Sequence, residues 1–386
     1  MTAPTDATPM NPPPVAQQIG DVAAVELPRR PPTAVVRAAL GLRRRLLALA
    51  DRAVPPQFAL FDHSVAGARA AALAAVTRFG IADLLVGGPR TAVQLAEQVD
   101  LDPDALHRLM RSLALAGIFS LGRDGRFGLT PMSERLRIDH PDSMRNWVLY
   151  WSTDSNQSAW AAIDETVRTG VPAFPSRHGM SVWQWFTEHP DEGRLFASAM
   201  RRITELDAPD IVGLYPWPRT GTVCDLAGGA GTLLSRILQS RPELDGVLVE
   251  APLVLAEAER VLEERGVRDR AELVVGDLFG SLEAEADVYV LKSVLHDWDD
   301  DTCRRILATV RATMRPGTTL VLVELLQERN EASYPSSLTD LQMMVVCDGG
   351  RERSRVELQA LLRASGFTPT SVHEGATGVG LVAATA

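Results

Sequence analysis

Four ionisable side chains in this 386-residue chain stand at or just after the ends of apolar runs, where folding can gather them at one edge. Asp225 follows "GTVC", Glu250 closes "VLVE", Asp277 follows "LVVG", and His296 follows "VYVLKSVL". Between Asp225 and the next apolar run lie Gly228, Gly229 and Gly231 in "DLAGGAGTLL". Glycines let backbone approach a ligand closely, and a helix starting there offers free N–H groups. A dinucleotide turn would read GxGxxG, but the position three after Gly231 is Leu234, so that pattern fails. The turn fits instead a nucleoside without a pyrophosphate, above all S-adenosylmethionine. A carboxylate at Glu250 can accept from both ribose hydroxyls, and one at Asp277 from an adenine amine. Each acid alone reads equally well as a helix cap; the set at one edge points to the nucleoside.

His296 opens the stretch "HDWDDD". If the nucleoside is S-adenosylmethionine, the reaction expected beside it is methyl transfer from the sulfonium, an in-line displacement in which the protein positions and desolvates. A phenol, with a pKa of roughly 10, becomes a good nucleophile on losing its proton, and an imidazole near 6.5 can take that proton during attack. A neighbouring carboxylate would stabilise the imidazolium. Glu324, ending "TTLVLVE", is placed to do so if its strand lies beside the one leading to His296. Asp299, Asp300 and Asp301 suit the start of a helix, where acids meet the positive end of the dipole. Trp298 reads as packing, Asp297 as either a modulator of His296 or a cap, and His63 and His178 as surface or satisfied core side chains.

These side chains need a scaffold. From about residue 220 to 386 the chain alternates apolar strands with amphipathic helices, the pattern of a parallel sheet covered on both faces. Ligands bind such sheets beyond the carboxyl ends of their strands. Residues 33 to 135 read as helical. Thr91 with Gln94 predicts a capping box, Asp102-Pro103 a second helix start, and Asp124-Gly125 a hairpin turn, together a winged-helix module. The run Arg43, Arg44, Arg45 reads as a solvated helix face. Residues 136 to 219 form a helical segment rich in aromatic side chains, among them Trp147, Trp151, Trp160, Trp183 and Trp185. Trp147 and Trp151 share a helix face and can wall a pocket for a flat ring as well as pack between domains. Asp340 to Gly350, with Met343 and Met344, is expected to shape the same pocket. Residues 1 to 32, rich in Pro, Thr and Ala, read as a disordered tail.

Composition narrows the function. A net charge of -10 argues against nucleic acid as the main partner. No apolar run reaches the roughly 18 residues of a membrane span, and no secretory signal is evident. Cys224, Cys303 and Cys347 form no CxxC, which predicts no zinc site and suits a reducing cytoplasm.

"DLAGGAG", "VLVEAP", "GDLF", "LKSVLHDWDDD", "VELL" and "GGRERS" follow one another in an order and spacing that resembles the S-adenosylmethionine-dependent O-methyltransferases of small phenolic molecules, plant caffeate-type and bacterial antibiotic-pathway enzymes alike. The resemblance runs from about residue 60 to the end. It implies an α/β fold: a C-terminal Rossmann-like class I methyltransferase domain with a seven-stranded, mostly parallel sheet, and an N-terminal winged-helix domain serving homodimerisation. By resemblance Glu250 binds the ribose, Asp277 and Leu278 flank the adenine, and Lys292 lies near the cofactor. His296 is the general base, flanked by Glu324 and Glu352, and Met200 packs on the aromatic substrate. No metal is implied. The family pattern has glycine where this chain has Ala227, and the expectation is an ordinary backbone there. Two rivals stand beside this reading. One is a DNA-binding regulator, for which His107, Arg108 and Arg111 offer thin basicity. The other is a relative that keeps the cofactor and catalyses hydroxylation, decarboxylation or a pericyclic step.

Overall fold

The structure, a computed structural model, describes residues 33–328 and 334–386; the expected tail, residues 1–32, lies outside them. Near the N-terminus, helices Ala66–Arg78, Ala92–Val99 and Pro103–Leu115 precede a short hairpin of β1 (Ser120–Leu121) and β2 (Phe127–Gly128). The local signals work as read. Thr91 and Gln94 form a reciprocal capping box, and Asp102 accepts from the Ala105 N–H ahead of Pro103. Gly125, at φ 74°, turns the hairpin. Leu95, Leu106, Met110, Leu113, Phe119 and Phe127 fill this module's core.

The main sheet contains β3 (Gly221–Leu226), β4 (Leu244–Glu250), β5 (Ala271–Val275), β6 (Val288–Lys292), β7 (Thr319–Leu325), β8 (Thr368–Glu374) and β9 (Val379–Thr385). Their order is β5-β4-β3-β6-β7-β9-β8. The first five strands run parallel, and β9 inserts antiparallel between β7 and β8. The central strands are apolar on both faces because both faces are covered. Cys224, Leu226, Tyr289 and Leu291 belong to one core, and Val223, Val290, Val321 and Val323 to the other. The chain builds outward from β3 to β5 and then returns to place β6 on the other side of β3. That reversal opens a crevice at the carboxyl ends of β3 and β6. Asp225, Lys292 and His296 all lie at or just past those two ends.

A long helix, Pro190–Leu214, joins the sheet to the helical segment before it. Its Glu205 is buried and ion-paired to Arg236, at 2.8 Å, and to Arg265. Arg201 of the same helix pairs with Glu257 at 2.8 Å. Arg236 lies on the helix that follows the glycine turn, and Glu257 on the helix that follows Glu250. The long helix is therefore bound by charge to both helices that begin at the crevice. Removing one partner of a buried pair strands the others, at a cost of about 3–5 kcal/mol. Glu205→Ala is expected to lose that much in equilibrium urea unfolding. A loss below about 1 kcal/mol would show that the cluster does not hold the helix.

Candidate active site

The glycine turn is built by steric exclusion. A Cβ on Gly228 would fall 2.4 Å from Asp225 Oδ2 and 2.6 Å from Leu248 Cδ1, so no side chain fits there. Gly229 and Gly231 take φ of 57° and 69°. Ala227 also lies in the left-handed region, at φ 53°, which corrects the expectation of an ordinary backbone at that position. Its backbone N–H still bonds to the Val249 carbonyl at 2.9 Å. The chain must turn out of β3 while keeping that bond, and the turn imposes the conformation on whatever residue stands there. Ser293, just past β6, shares it at φ 53°. Two strained non-glycine residues thus flank the crevice, a placement common at functional sites.

Asp225 is 1% exposed; its carboxylate lies toward the Leu234 N–H, but neither oxygen reaches a partner at hydrogen-bond geometry among the described residues. Burial pushes its carboxyl up to about 7, while Lys292 pulls it back. An unpaired buried carboxylate at a turn that leaves no room for side chains fits a ligand bringing its own donors. Glu250 is held across the turn: Oε2 accepts from the Gly229 N–H and Oε1 from the Ala251 N–H, each at 2.9 Å. Each oxygen keeps a further lone pair for a hydroxyl. Asp277 is exposed just past β5 and accepts from the Phe279 N–H at 2.9 Å, while Leu278 packs on the sheet's core. Lys292 Nζ lies 3.3 Å from Ser293 Oγ. All these groups line the carboxyl edge from β3 to β6.

His296 sits on a single helical turn, Leu295–Asp297, directly after β6. Its Nδ1 is 3.1 Å from Glu352 Oε1 and 3.6 Å from Glu324 Oε2, and its Nε2 is 3.5 Å from Asp297 Oδ1. Each partner is itself anchored. Glu324 Oε1 accepts from the N–H groups of Val294 and Leu295, and the Glu352 N–H donates to Asp340 Oδ1 at 2.9 Å. Asp340, expected in the substrate wall, holds the loop carrying Glu352. Asp297 does no capping; that role falls to Asp299, which accepts from the Thr302 N–H at 2.7 Å. Arg353 went unread in the sequence although it neighbours Glu352. Its guanidinium donates to the carbonyls of Leu295 and Trp298 at 2.7 and 2.8 Å and pairs with Asp300, clamping the turn that carries His296. No local pattern signals bonds of that reach.

Burial alone would lower the His296 pKa, but Glu352, Asp297 and Glu324 together raise it. Burial likewise raises Glu324, with His296 opposing. Donor atoms of His296, Glu324 and Glu352 lie within 4.8 Å of one another, so a divalent ion would also fit between them. The His296–Glu352 hydrogen bond uses the same atoms for a proton.

Trp147, Trp151 and Trp160 form one row of rings. Ring centroids of Trp147 and Trp151 are 5.7 Å apart, and those of Trp151 and Trp160 are 5.9 Å apart. Met200 joins Trp147, Trp151 and Phe196 in one cluster; Met343 and Met344 join Trp183 and Trp185 in another. Trp298 packs edge-on to Phe279 at 5.0 Å. His63 is exposed, and His178 is satisfied by Ser158 and the Ser155 carbonyl; neither adds to the His296 cluster.

Two outcomes follow from this geometry. Left-handed backbone excludes β-branched residues more strongly than Ala or Gly, so Ala227→Gly should change unfolding stability by less than about 1 kcal/mol and Ala227→Val should lower it by about 2 or more. Equal effects of the two would show the conformation to be unimportant. Removing the Glu324 charge should lower the His296 pKa. The acid limb of a kcat/KM profile, which reports the free enzyme, should then move to lower pH in Glu324→Gln; a limb that stays or moves upward refutes the coupling.

Residues 160–368 match the model of an O-methyltransferase domain, and residues 61–138 that of an O-methyltransferase dimerisation domain. The chain is 36% identical over 307 residues to a phenazine O-methyltransferase of Lysobacter antibioticus, covering 80% of this chain and 89% of that one. It is similar to the solved mitomycin 7-O-methyltransferase MmcR, at a TM-score of 0.80 and 34% identity over 88% of this chain and 100% of that one. It is also similar to a neocarzinostatin-pathway O-methyltransferase solved with S-adenosyl-L-homocysteine and 1,4-dihydroxy-2-naphthoic acid, at a TM-score of 0.71 and 32% identity over 82% of this chain and 95% of that one. With a nucleoside-type crevice, a buried His296 cluster and these matches across both of its parts, the chain belongs to the family of S-adenosylmethionine-dependent O-methyltransferases.

Proposed function

We propose that the protein methylates a phenolic hydroxyl of a small, flat aromatic natural-product intermediate, with His296 as general base. The observation that carries this is the imidazole held between Glu352 and Glu324 on one nitrogen, with the other beside Asp297, at the carboxyl edge that also holds Asp225 and Glu250. S-adenosylmethionine, when bound, supplies a methyl already activated on sulfur. Asp225, Glu250, Asp277 with Leu278, and Lys292 are the residues that would hold it. The reading requires no metal.

The chain's own work is then positioning and proton removal. Glu352 accepts from Nδ1, which leaves Nε2 to face the substrate hydroxyl. The carboxylates stabilise the imidazolium formed as the proton leaves, so deprotonation accompanies attack. Trp147, Trp151, Met200, Met343 and Met344 supply an apolar wall for the ring and keep water away.

The protein acts as a homodimer in this reading. Leu40, Leu42, Leu46, Leu47 and Leu49 on helix Thr33–Arg52, and Phe58, Leu60 and Phe61 on helix Pro56–Ser64, are exposed within one chain. So many apolar side chains on two consecutive helices call for a covering surface, and the dimerisation domain supports a second copy as that cover.

With labelled cofactor and a phenolic substrate at neutral pH, His296→Ala is expected to lower kcat by about 10²–10⁴-fold. The deficit should shrink as pH approaches the phenol's own pKa of about 10. Full activity in the variant removes His296 as base. Substrate conversion with the label retained on the cofactor would favour the non-methylating alternative.

A further inference from the structure

The aromatic wall contains a small buried polar chain. The Trp160 indole N–H donates to Gln342 Oε1 at 2.6 Å. An indole N–H can only donate, so the orientation of the Gln342 amide is settled and its Nε2 faces the other way. That nitrogen donates to Asn156 Oδ1 at 2.9 Å and to the Tyr150 hydroxyl oxygen at 3.5 Å. The Tyr150 oxygen is thus an acceptor in this chain, and its own hydrogen is left over. No acceptor for that hydrogen is found among the described residues, although Tyr150 is only 8% exposed. A buried donor without a partner is costly unless a ligand takes the bond.

Gln342, the partner of the hydroxyl, lies on helix Tyr334–Val346, and the residue after that helix, Cys347, reaches the turn that carries His296. Burial, then Cys347 and, more weakly, Asp297 raise the Tyr150 pKa, so the hydroxyl stays protonated and remains a donor. Cys347 Sγ is 3.6 Å from Asp297 Oδ1, which in turn lies 3.5 Å from His296 Nε2. The Tyr150 ring is fixed edge-on against Phe196 at 5.3 Å, on the helix that also carries Trp147 and Trp151.

We propose that Tyr150 donates its hydroxyl hydrogen to the substrate. The enzyme then selects aromatic hydroxy compounds that carry a hydrogen-bond-accepting atom, a ring nitrogen or a carbonyl oxygen, beside the reacting hydroxyl. The Tyr150 bond holds that atom, and the neighbouring hydroxyl is thereby turned toward His296. This rests on the reading of the wall as the substrate pocket.

The test compares two tricyclic compounds of one shape, 1-hydroxyphenazine, with ring nitrogens, and 1-hydroxyanthracene, without them. Dissociation constants are measured for wild type and Tyr150→Phe in the presence of S-adenosyl-L-homocysteine, with thermal melting as a check that both proteins are folded. Wild type should favour the phenazine, and Tyr150→Phe should reduce that preference about fivefold to tenfold, the worth of one neutral hydrogen bond. An unchanged preference, an equal loss for both compounds, or binding of neither by wild type overturns the proposal. A methyl-transfer assay on the same proteins separates it from the functional reading. Tyr150-dependent binding without transfer would sink O-methylation and leave the role of Tyr150 standing.

Discussion

One imidazole packed among three carboxylates sets the terms for the rest of the site. His296 has Glu352 and Glu324 beside one ring nitrogen and Asp297 beside the other, and both glutamates are almost fully buried. Such a cluster is unfavourable unless every remaining lone pair is used or a cation is near. The surrounding architecture serves part of that need, while Glu324 Oε2 and Glu352 Oε2 keep no hydrogen-bond partner among the described residues and their carboxylates lie beside the imidazole's positive charge. Backbone N–H groups of the turn bond Glu324, Asp340 braces the Glu352 backbone, and Arg353 ties the turn's carbonyls to Asp300. Glycine at 350 lets this loop pass against the turn, since a Cβ there would lie 2.8 Å from the His296 carbonyl oxygen. The Arg351 N–H donates to that same oxygen at 2.8 Å. The order of the elements follows from this constraint: β6 and β7 must be neighbours for Glu324 to reach the residue after β6, and they are, with Lys292 opposite Val323.

The carboxyl edge of β3 and β6 is governed by backbone conformation more than by charge. Four positive-φ residues, Ala227, Gly229, Gly231 and Ser293, cluster at the ends of β3 and β6. Tight turns out of two adjacent parallel strands keep bulk away from this edge, where a Cβ on Gly228 would collide with the buried carboxylate of Asp225. Strain at Ala227 is tolerated because the N–H bond to Val249 and the packing of Leu248 and Leu262 against Gly231 hold the turn from both sides.

Much of this was legible in the sequence, for local reasons. Apolar runs ending in acids or glycines mark the sheet, and the Thr91–Gln94 spacing and the Asp102-Pro103 pair mark two helix starts. What escaped reading depends on partners far along the chain or on backbone angles. Tyr150 and Gln342 meet across 192 positions, and Arg353 reaches Leu295 across 58. Asp340 opens the stretch expected to shape the pocket, and its Oδ1 accepts from the Glu352 N–H, a loop contact that no local pattern signals. Ala227 looked harmless because residue type says little about φ at a turn whose shape is imposed by its neighbours. Asp297 could be separated from the acids after it only in three dimensions, where Asp299 does the capping.

Methyl transfer in line asks for two ligands held to within a fraction of an ångström, and the two halves of this site grow from different parts of the chain. Met200, on helix Pro190–Leu214, lies in the aromatic wall, while the nucleoside-type crevice belongs to the sheet. The buried pairing of Glu205 with Arg236 and Arg265, and the pairing of buried Arg201 with the exposed Glu257, cross that division. An apolar contact in the same place would bind as well but would allow the helix to slide, since burial is insensitive to register. Charged, directional pairs to the helices that start after Gly231 and after Glu250 fix the register of this helix against both. The helix's register is thereby tied to the same turns that shape the carboxyl edge, which makes the spacing between the Met200 cluster and the glycine turn a property of the fold.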